Sequence, residues 1–162
     1  MKELSVEENI LSVLKNEGVE YDRNTHEPVY TSKEAAKVRG VPLETGVKAM
    51  VLENQSGDLV LGLVPADHRV DLDKVGEEEG SEVALADSEK VLKVTGSEIG
   101  SVPPFGHAEP LKTYLDPEIL EKDRVNFNAG KHEVSIDLDP EGLKQCIVSS
   151  GTELFVKKIT GD

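Results

Sequence analysis

Gly96-Ser97-Glu98-Ile99-Gly100-Ser101-Val102-Pro103-Pro104-Phe105-Gly106-His107 is the stretch around which we organise the rest of the chain. It holds three glycines and two consecutive prolines. Glycine permits positive φ and close approach to the backbone, whereas proline fixes φ and pushes the preceding residue toward extended geometry. The combination predicts a stiff, shaped loop, partly packed down through Val102 and Phe105, that can direct backbone groups at a ligand. The alternative is an ordinary surface connection punctuated by turn residues.

Extended segments lie on both sides of this loop. Residues 47–52 form an apolar run in which Lys48, Met50 and Leu52 share one face on a two-residue period. Both faces are mainly apolar, so the run predicts an inner strand on which Lys48 is the lone charge. A turn at 55–58 leads into a second run at 59–64, which predicts a hairpin. After the loop, strands are predicted at 124–128 and 134–138, joined by a turn at 129–133.

Helix start signals recur between these strands. A residue that can cap a helix N-terminus precedes a helical pattern at several places: Ser5, Thr31, Asp87, Asp116 and Asp139. About seven short strands mixed with about six short helices, without an internal repeat or a low-complexity linker, predict one α/β or α+β domain over residues 1–162 around a mixed sheet.

Composition excludes several classes of protein. The 162 residues contain no apolar run long enough to cross a membrane and no signal-peptide pattern at the N-terminus. The single cysteine, Cys146, excludes an internal disulfide framework and fits a reducing cytoplasm, and its spacing with Leu143 and Ile147 favours a core position. The four histidines lack a metal-ligand spacing, so no metal is expected.

The charge constrains any interaction with nucleic acid. There are 32 acidic and 18 basic residues, for a net charge of −14, and such a protein is repelled by phosphate at long range. Nucleic-acid binding would then depend on a local basic site and be weak and salt-sensitive. Lys33, Lys37 and Arg39 near the second helix are the best candidates for such a patch, against the alternative of a solvated helix face. Lys48 must either extend to water or meet an anion.

An ordered set of short motifs carries a resemblance to a known family. They are Val29-Tyr30-Thr31-Ser32, Glu34-Ala35-Ala36, Val47-Lys48-Ala49-Met50-Val51-Leu52, Pro65-Ala66-Asp67, Thr95-Gly96, Gly100-Ser101-Val102-Pro103-Pro104-Phe105-Gly106 and Asn128-Ala129-Gly130-Lys131-His132. On these residues the chain resembles the YbaK/prolyl-tRNA synthetase editing-domain family of aminoacyl-tRNA deacylases, over roughly residues 20–150. The strand lysine followed by the GxxxP loop is the most diagnostic part.

The resemblance implies a fold and an activity. The fold is a mixed, barrel-like β-sheet of about six to seven strands surrounded by short helices. The activity is hydrolysis of the ester that joins a wrong amino acid to the 3′ end of a transfer RNA, without a cofactor or a fixed Ser-His-Asp triad. A positioned water, helped by the 2′-hydroxyl of the substrate, is implied as the nucleophile. Positioning water and stabilising an oxyanion is sufficient chemistry for an ester that is already activated.

The resemblance also assigns roles to residues. It implies that Lys48 lies beside the terminal adenosine and its phosphate, that the loop 100–104 cradles the aminoacyl group, and that 128–132 borders the same pocket. The predicted catalytic residues are Lys48, Gly100 and His132. The predicted substrate-binding residues are Tyr30, Ser101, Val102, Pro103, Pro104, Phe105, Asn128, Ala129 and Gly130.

The substrate prediction follows from pocket size and one departure. A small pocket excludes larger side chains more easily than smaller ones, so alanine, serine, threonine or cysteine on tRNA-Pro is expected. Members acting on cysteinyl esters tend to carry a small hydroxyl residue where this chain has Asn128, which favours alanine, serine or threonine. The expected partners are the 3′ acceptor end of aminoacyl-tRNA and an aminoacyl-tRNA synthetase, with no DNA, no membrane and a monomeric chain. The alternative function is a catalytically silent tRNA- or synthetase-binding module of the same fold.

Overall fold

A computed structural model describes residues 5–161. Within this range the chain forms five α-helices, α1 (Val6–Glu17), α2 (Ser32–Arg39), α3 (Leu72–Glu79), α4 (Ser88–Thr95) and α5 (Pro140–Ser149). Its strands are β1 (Tyr21–Thr25), β2 (Val47–Asn54), β3 (Leu59–Pro65), β4 (Val83–Leu85), β5 (Lys112–Leu115), β6 (Val125–Asn128), β7 (Val134–Leu138) and β8 (Leu154–Val156). Two 3-10 helices, Leu43–Thr45 and Pro117–Glu121, complete the elements.

The helices begin where the capping residues predict. Ser5 accepts a hydrogen bond from the backbone N–H of Glu8, whose carboxylate accepts from the N–H of Ser5, which is a complete capping box. Asp87 and Asp139 cap α4 and α5 in the same way through their side chains. The segment after Asp116 starts as predicted but forms a 3-10 helix rather than an α-helix. No helix in the described range is long and apolar enough to span a membrane.

The strands form two sheets, which confirms the mixed α/β class and refines the predicted sheet. One sheet has three antiparallel strands in the order β1-β7-β6, and the other has five strands in the order β4-β2-β3-β5-β8. β2 and β3 are the predicted antiparallel hairpin, and β5 runs parallel to both β3 and β8. Within residues 5–161 a single parallel bridge, between Gly46 and Asn126, connects the two sheets, so the ladder is interrupted where one barrel-like sheet was expected.

The core lies on both faces of β2, as its apolar pattern predicts. Val47 and Val51 belong to the main hydrophobic cluster, which α1 and α5 also cover. Leu52 belongs to a second cluster beneath α3, and Met50 packs against it. Alternate side chains of one strand therefore enter two different packing layers. The start of β2, including Lys48, is left at the edge of a cavity.

Candidate active site

One cavity of about 230 Å³ opens beside the start of β2. Its wall is built from one side of α2 along its whole length, the first half of β2, the β4–α4 connection, the loop at Gly100 and β6. Arg39 and Lys48 are the charged side chains among its described lining residues, and neither an aspartate nor a glutamate is included. The cavity is therefore cationic in a chain whose net charge is −14.

Lys48 is fixed at the cavity wall by a backbone acceptor. Its ammonium donates a hydrogen bond of 2.6 Å to the carbonyl oxygen of His68, in the connection that follows β3. Burial lowers the pKa of Lys48, and the positive charge of Arg69 lowers it further, whereas Asp67 acts in the opposite direction. One of three ammonium hydrogens is engaged by this contact, so Lys48 keeps donors for an anion.

The Gly100 loop forms the opposite wall. Gly100 has a φ of 94°, and its carbonyl oxygen accepts a hydrogen bond of 2.6 Å from Nδ2 of Asn128. A Cβ added at Gly100 would lie 3.4 Å from Cε1 of His132, so the glycine allows the histidine ring to pack against the backbone. Gly100, Val102 and Asn128 all line the cavity, together with Lys48 and Tyr30. The structure thus brings together five of the residues that the sequence singles out.

The remaining loop residues lie behind this wall. Ser101 is buried and bonds to the carbonyl oxygen of Glu98, and Phe105 packs edge-to-face on Phe127 with ring centroids 5.8 Å apart. Pro103 and Pro104 are buried too, and the carbonyl oxygen of Pro103 accepts a hydrogen bond from His107. The four predicted substrate-binding residues at 101 and 103–105 are not among the cavity-lining residues, and their contacts support the loop from its inner side.

Two other predicted positions, Ala129 and Gly130, also lie away from the cavity. Ala129 is fully buried, and a Cβ at Gly130 would lie 2.9 Å from a methyl group of Val6 on α1. Both pack the turn after β6 against the body of the protein. Neither residue is among those that line the cavity.

His132 and Tyr30 form a pair next to Gly100. Nδ1 of His132 lies 3.0 Å from the carbonyl oxygen of Val29, so this nitrogen carries the proton and Nε2 keeps its lone pair in the neutral ring. The two rings stack with centroids 4.4 Å apart. His132 contacts the wall from outside the cavity lining, whereas Tyr30 is 65% exposed at the mouth, where Leu85 and Ile99 are also more than half exposed.

Arg39 is the residue whose position the sequence does not predict. It is the last residue of α2, and its guanidinium points into the cavity rather than away from it with Lys33 and Lys37, which are exposed. Nη1 donates to Oδ1 of Asn126 at 2.7 Å, and Nη2 donates to Oδ1 of Asn128. Burial lowers the pKa of Arg39 to about 10. The sequence signal is limited to a basic residue just before the terminating Gly40, which is also typical of an ordinary helix end.

The cavity suits ester hydrolysis by water better than covalent catalysis. Among residues 5–161, no group of three His, Cys, Asp or Glu side chains is placed to hold a metal ion. Cys146 is fully buried, and burial raises the pKa of its thiol to about 11, which keeps it from acting as a nucleophile. The cavity instead offers a fixed ammonium, a guanidinium, two amides and a constrained glycine backbone. These groups can bind an anion and stabilise charge that develops on a carbonyl oxygen.

The two-sheet α/β fold thus holds a cationic cavity that is lined in part by the Gly100 loop. Comparison with known proteins supplies the family. The model of the aminoacyl-tRNA editing domain matches residues 26–146. The chain belongs to this family, whose members hydrolyse the ester bond of aminoacyl-tRNA.

Individual relatives agree with this assignment. The multifunctional Ser/Thr-tRNA deacylase ProXp-y of Escherichia coli K12 is 32% identical over 136 residues, which is 81% of each chain. The proline–tRNA ligase of Trichlorobacter lovleyi is 34% identical over 87 residues, which is 53% of this chain and 15% of the ligase. A crystal structure described as a candidate trans-editing enzyme for prolyl-tRNA synthetase superposes with a TM-score of 0.80 at 26% identity, over 99% of this chain and all of the other.

Proposed function

We propose that this chain is a trans-editing deacylase that removes serine, threonine or alanine from mischarged tRNA-Pro in the cytoplasm. The observation that supports it best is the cavity that joins the Lys48 ammonium to the wall made by Gly100 and Asn128. The Ser32 side chain at the same cavity suits a hydroxyl-bearing amino acid. The similarity to a Ser/Thr-tRNA deacylase and to a proline–tRNA ligase supports the same substrates.

The proposed reaction needs only groups that the cavity provides. Lys48 binds the phosphate beside the terminal adenosine and holds the aminoacyl end against the Gly100 wall. A water attacks the ester carbon, and the carbonyl oxygen becomes an oxyanion. The oxyanion then collapses as the bond to the ribose 3′-oxygen breaks, the proton given up by the attacking water passes to that oxygen, and the free amino acid leaves. His132 acts in this proposal by holding the Gly100 backbone, since its ring packs there and is not among the cavity-lining residues.

The mouth of the cavity supports the nucleoside part of the proposal. One face of the Tyr30 ring contacts His132, and the side chain remains largely exposed. Unpaired bases at the ends of RNA stack readily on aromatic rings, so Tyr30 offers a surface for the terminal adenine. In this proposal the base lies at the rim of the cavity and the ester lies inside it.

A panel of aminoacyl-tRNAs tests the proposal. We expect the purified protein to release serine, threonine or alanine from tRNA-Pro, and Lys48→Ala to lower the rate by about 10²–10³-fold, as expected when one charged stabilising donor is removed. Lys144→Ala on α5, outside the cavity, serves as the matched control and should leave the rate unchanged. Release no faster than hydrolysis in buffer for every aminoacyl-tRNA would overturn the proposal.

The net charge of −14 favours a second candidate, a silent module that binds tRNA or a synthetase. An acidic surface opposes independent capture of tRNA, so a synthetase partner would supply most of the affinity. The same panel decides between the two functions. Binding of tRNA or of prolyl-tRNA synthetase without hydrolysis supports the module, whereas turnover by the chain alone supports the enzyme.

A further inference from the structure

Arg39 begins a chain of hydrogen bonds that reaches the Gly100 loop. Its guanidinium donates to Oδ1 of Asn128, and Nδ2 of Asn128 donates to the carbonyl oxygen of Gly100 at 2.6 Å. A second branch runs from Arg39 to Oδ1 of Asn126, whose Nδ2 donates to Oγ1 of Thr45 at 3.0 Å. Arg39 therefore holds two amides of β6, and one of them holds the wall of the cavity.

The guanidinium decides which way the Asn128 amide points. A guanidinium carries donors only, so it accepts the oxygen end of an amide as its neighbour and excludes the NH₂ end. With Oδ1 turned toward Arg39, Nδ2 must face the Gly100 carbonyl. In the flipped amide, Oδ1 would face that carbonyl oxygen and the hydrogen bond would become a repulsion between two acceptors. The orientation of Asn128 thus depends on the charge and the donors of Arg39.

A purely structural link would not need a charge at this position. Arg39 forms no ion pair with a carboxylate among the described residues, and burial lowers its pKa to about 10. Even a partly buried cation without a carboxylate is costly, so its presence beside a cavity points to a function. Arg124 shows the ordinary arrangement, because its guanidinium pairs with Asp137 at 2.6 Å on the surface.

We propose that Arg39 is a positioning residue that sets substrate specificity: by orienting Asn128 it fixes the Gly100 carbonyl, and thereby the width of the aminoacyl pocket. This inference rests on the proposed deacylase function. A fixed wall excludes an ester that is one methylene too large. A wall released from Asn128 can retreat and admit it.

The kinetic test uses the ratio of kcat/KM for the preferred small ester to that for an ester one methylene larger, on the same tRNA. We expect Arg39→Met to lower this ratio by about tenfold, within the range that one methylene supplies. Asn128→Ala should lower it equally, and the double variant should be no worse than Asn128→Ala, since both act through one contact. Additive losses, or an unchanged ratio in Arg39→Met, would overturn the inference.

Two further variants separate positioning from folding. Arg39→Lys keeps a donor-only cation and should recover part of the ratio. Arg124→Met removes a guanidinium of the same size at the start of β6, where it contacts Asp137 and Asp22 outside the cavity. Arg124→Met should leave the ratio of the two kcat/KM values unchanged even if its thermal stability falls as much as that of Arg39→Met. A ratio that follows thermal stability across both variants would contradict a positioning role.

A measurement without substrate separates the positioning role of Arg39 from the proposed deacylase function. In NMR spectra of the free protein, the signals of the Asn128 side-chain amide and of the Ser101 backbone amide should shift in Arg39→Met. The same signals should stay in place in Arg124→Met. Unshifted signals would overturn the role of Arg39 even in an active enzyme. Shifted signals in a protein that hydrolyses no aminoacyl-tRNA would instead overturn the proposed function, and the specificity role with it.

Discussion

Gly100 combines a backbone conformation that disfavours a side chain with a close neighbour, the ring of His132. Its φ of 94° is unfavourable for any residue with a Cβ, and the ring of His132 occupies the space beside it. Gly151, with a φ of 82°, shares the first property and lacks the second, because no atom lies within 4 Å of a Cβ placed there. Comparing substitutions at Gly100 and Gly151 therefore separates the loss of stability caused by the backbone conformation from the loss of activity caused by disturbing the cavity.

We therefore expect Gly100→Ala and Gly151→Ala to destabilise the protein similarly, by about 1–2 kcal/mol each, because both need left-handed backbone. Only Gly100→Ala should reduce deacylation, by about a hundredfold, since the strained backbone lies in the cavity wall there and its shift misplaces the ester. Urea unfolding and kcat/KM on one aminoacyl-tRNA measure the two effects. Equal activity in the two variants would show that the Gly100 wall does not contact the substrate.

Single residues differ in how far the sequence reveals them. Lys48 stands out because a charge on an otherwise apolar strand violates the pattern around it. Arg39 does not, because basic residues are common at helix C-termini and the sequence does not show which side of α2 faces a cavity. The sequence likewise does not show that His132 lies behind Gly100 and outside the cavity lining, because their contact joins residues 32 positions apart.

At the scale of elements, His107 holds the second half of the loop together through a contact with Pro103. Its Nε2 lies 2.6 Å from the carbonyl oxygen of Pro103, and its Nδ1 is buried without a partner among the described residues. Burial lowers the pKa of His107 to about 4, from an ordinary value of 6.5. The loop therefore requires a neutral histidine.

This requirement makes the loop a source of acid sensitivity. Between pH 6.5 and about 4 the unfolded chain binds a proton at His107 and the native protein does not, so the free energy of unfolding falls as the pH falls through that window. We expect a contribution of about 2 kcal/mol between pH 7 and pH 5. His107→Gln keeps a donor for Pro103 and cannot titrate, so urea unfolding should show a smaller loss over this interval. Equal losses in the two proteins would contradict the assignment.

Elements with local causes are predictable, and those with distant causes are not. The starts of α1, α4 and α5 follow from Ser5, Asp87 and Asp139, whose side chains satisfy N–H groups only two or three residues away. The division into two sheets depends on pairings such as Leu63 with Leu115 and on the interrupted ladder at Gly46. No local signal in the sequence specifies these partners. Apart from Lys48 and the Gly100 loop, the residues of the cavity are recognisable only because an ordered set of motifs resembles a family.

On the scale of the whole molecule, charge is distributed unevenly. The chain carries −14, yet the described lining of its cavity contains two cations and no carboxylate. The acidic surface repels tRNA within about one Debye length, which is about 10 Å at 0.1 M salt, and salt screens the repulsion at larger distances. In the proposed complex Lys48 meets the terminal phosphate, while Arg39 is occupied by Asn126 and Asn128.

This distribution predicts a weak dependence of kcat/KM on salt. Proteins that neutralise six to ten phosphates lose about 10³–10⁵ in affinity between 50 and 200 mM salt, whereas a single contact to a single strand gives a logarithmic slope of about −0.7. Salt also screens the repulsion between the acidic surface and tRNA, and this effect opposes the loss of affinity. We therefore expect kcat/KM to change by less than about tenfold over this range, and the slope to vanish in Lys48→Ala, measured as residual activity. A thousandfold fall would mean that a broad basic surface, absent from the described cavity, carries the tRNA.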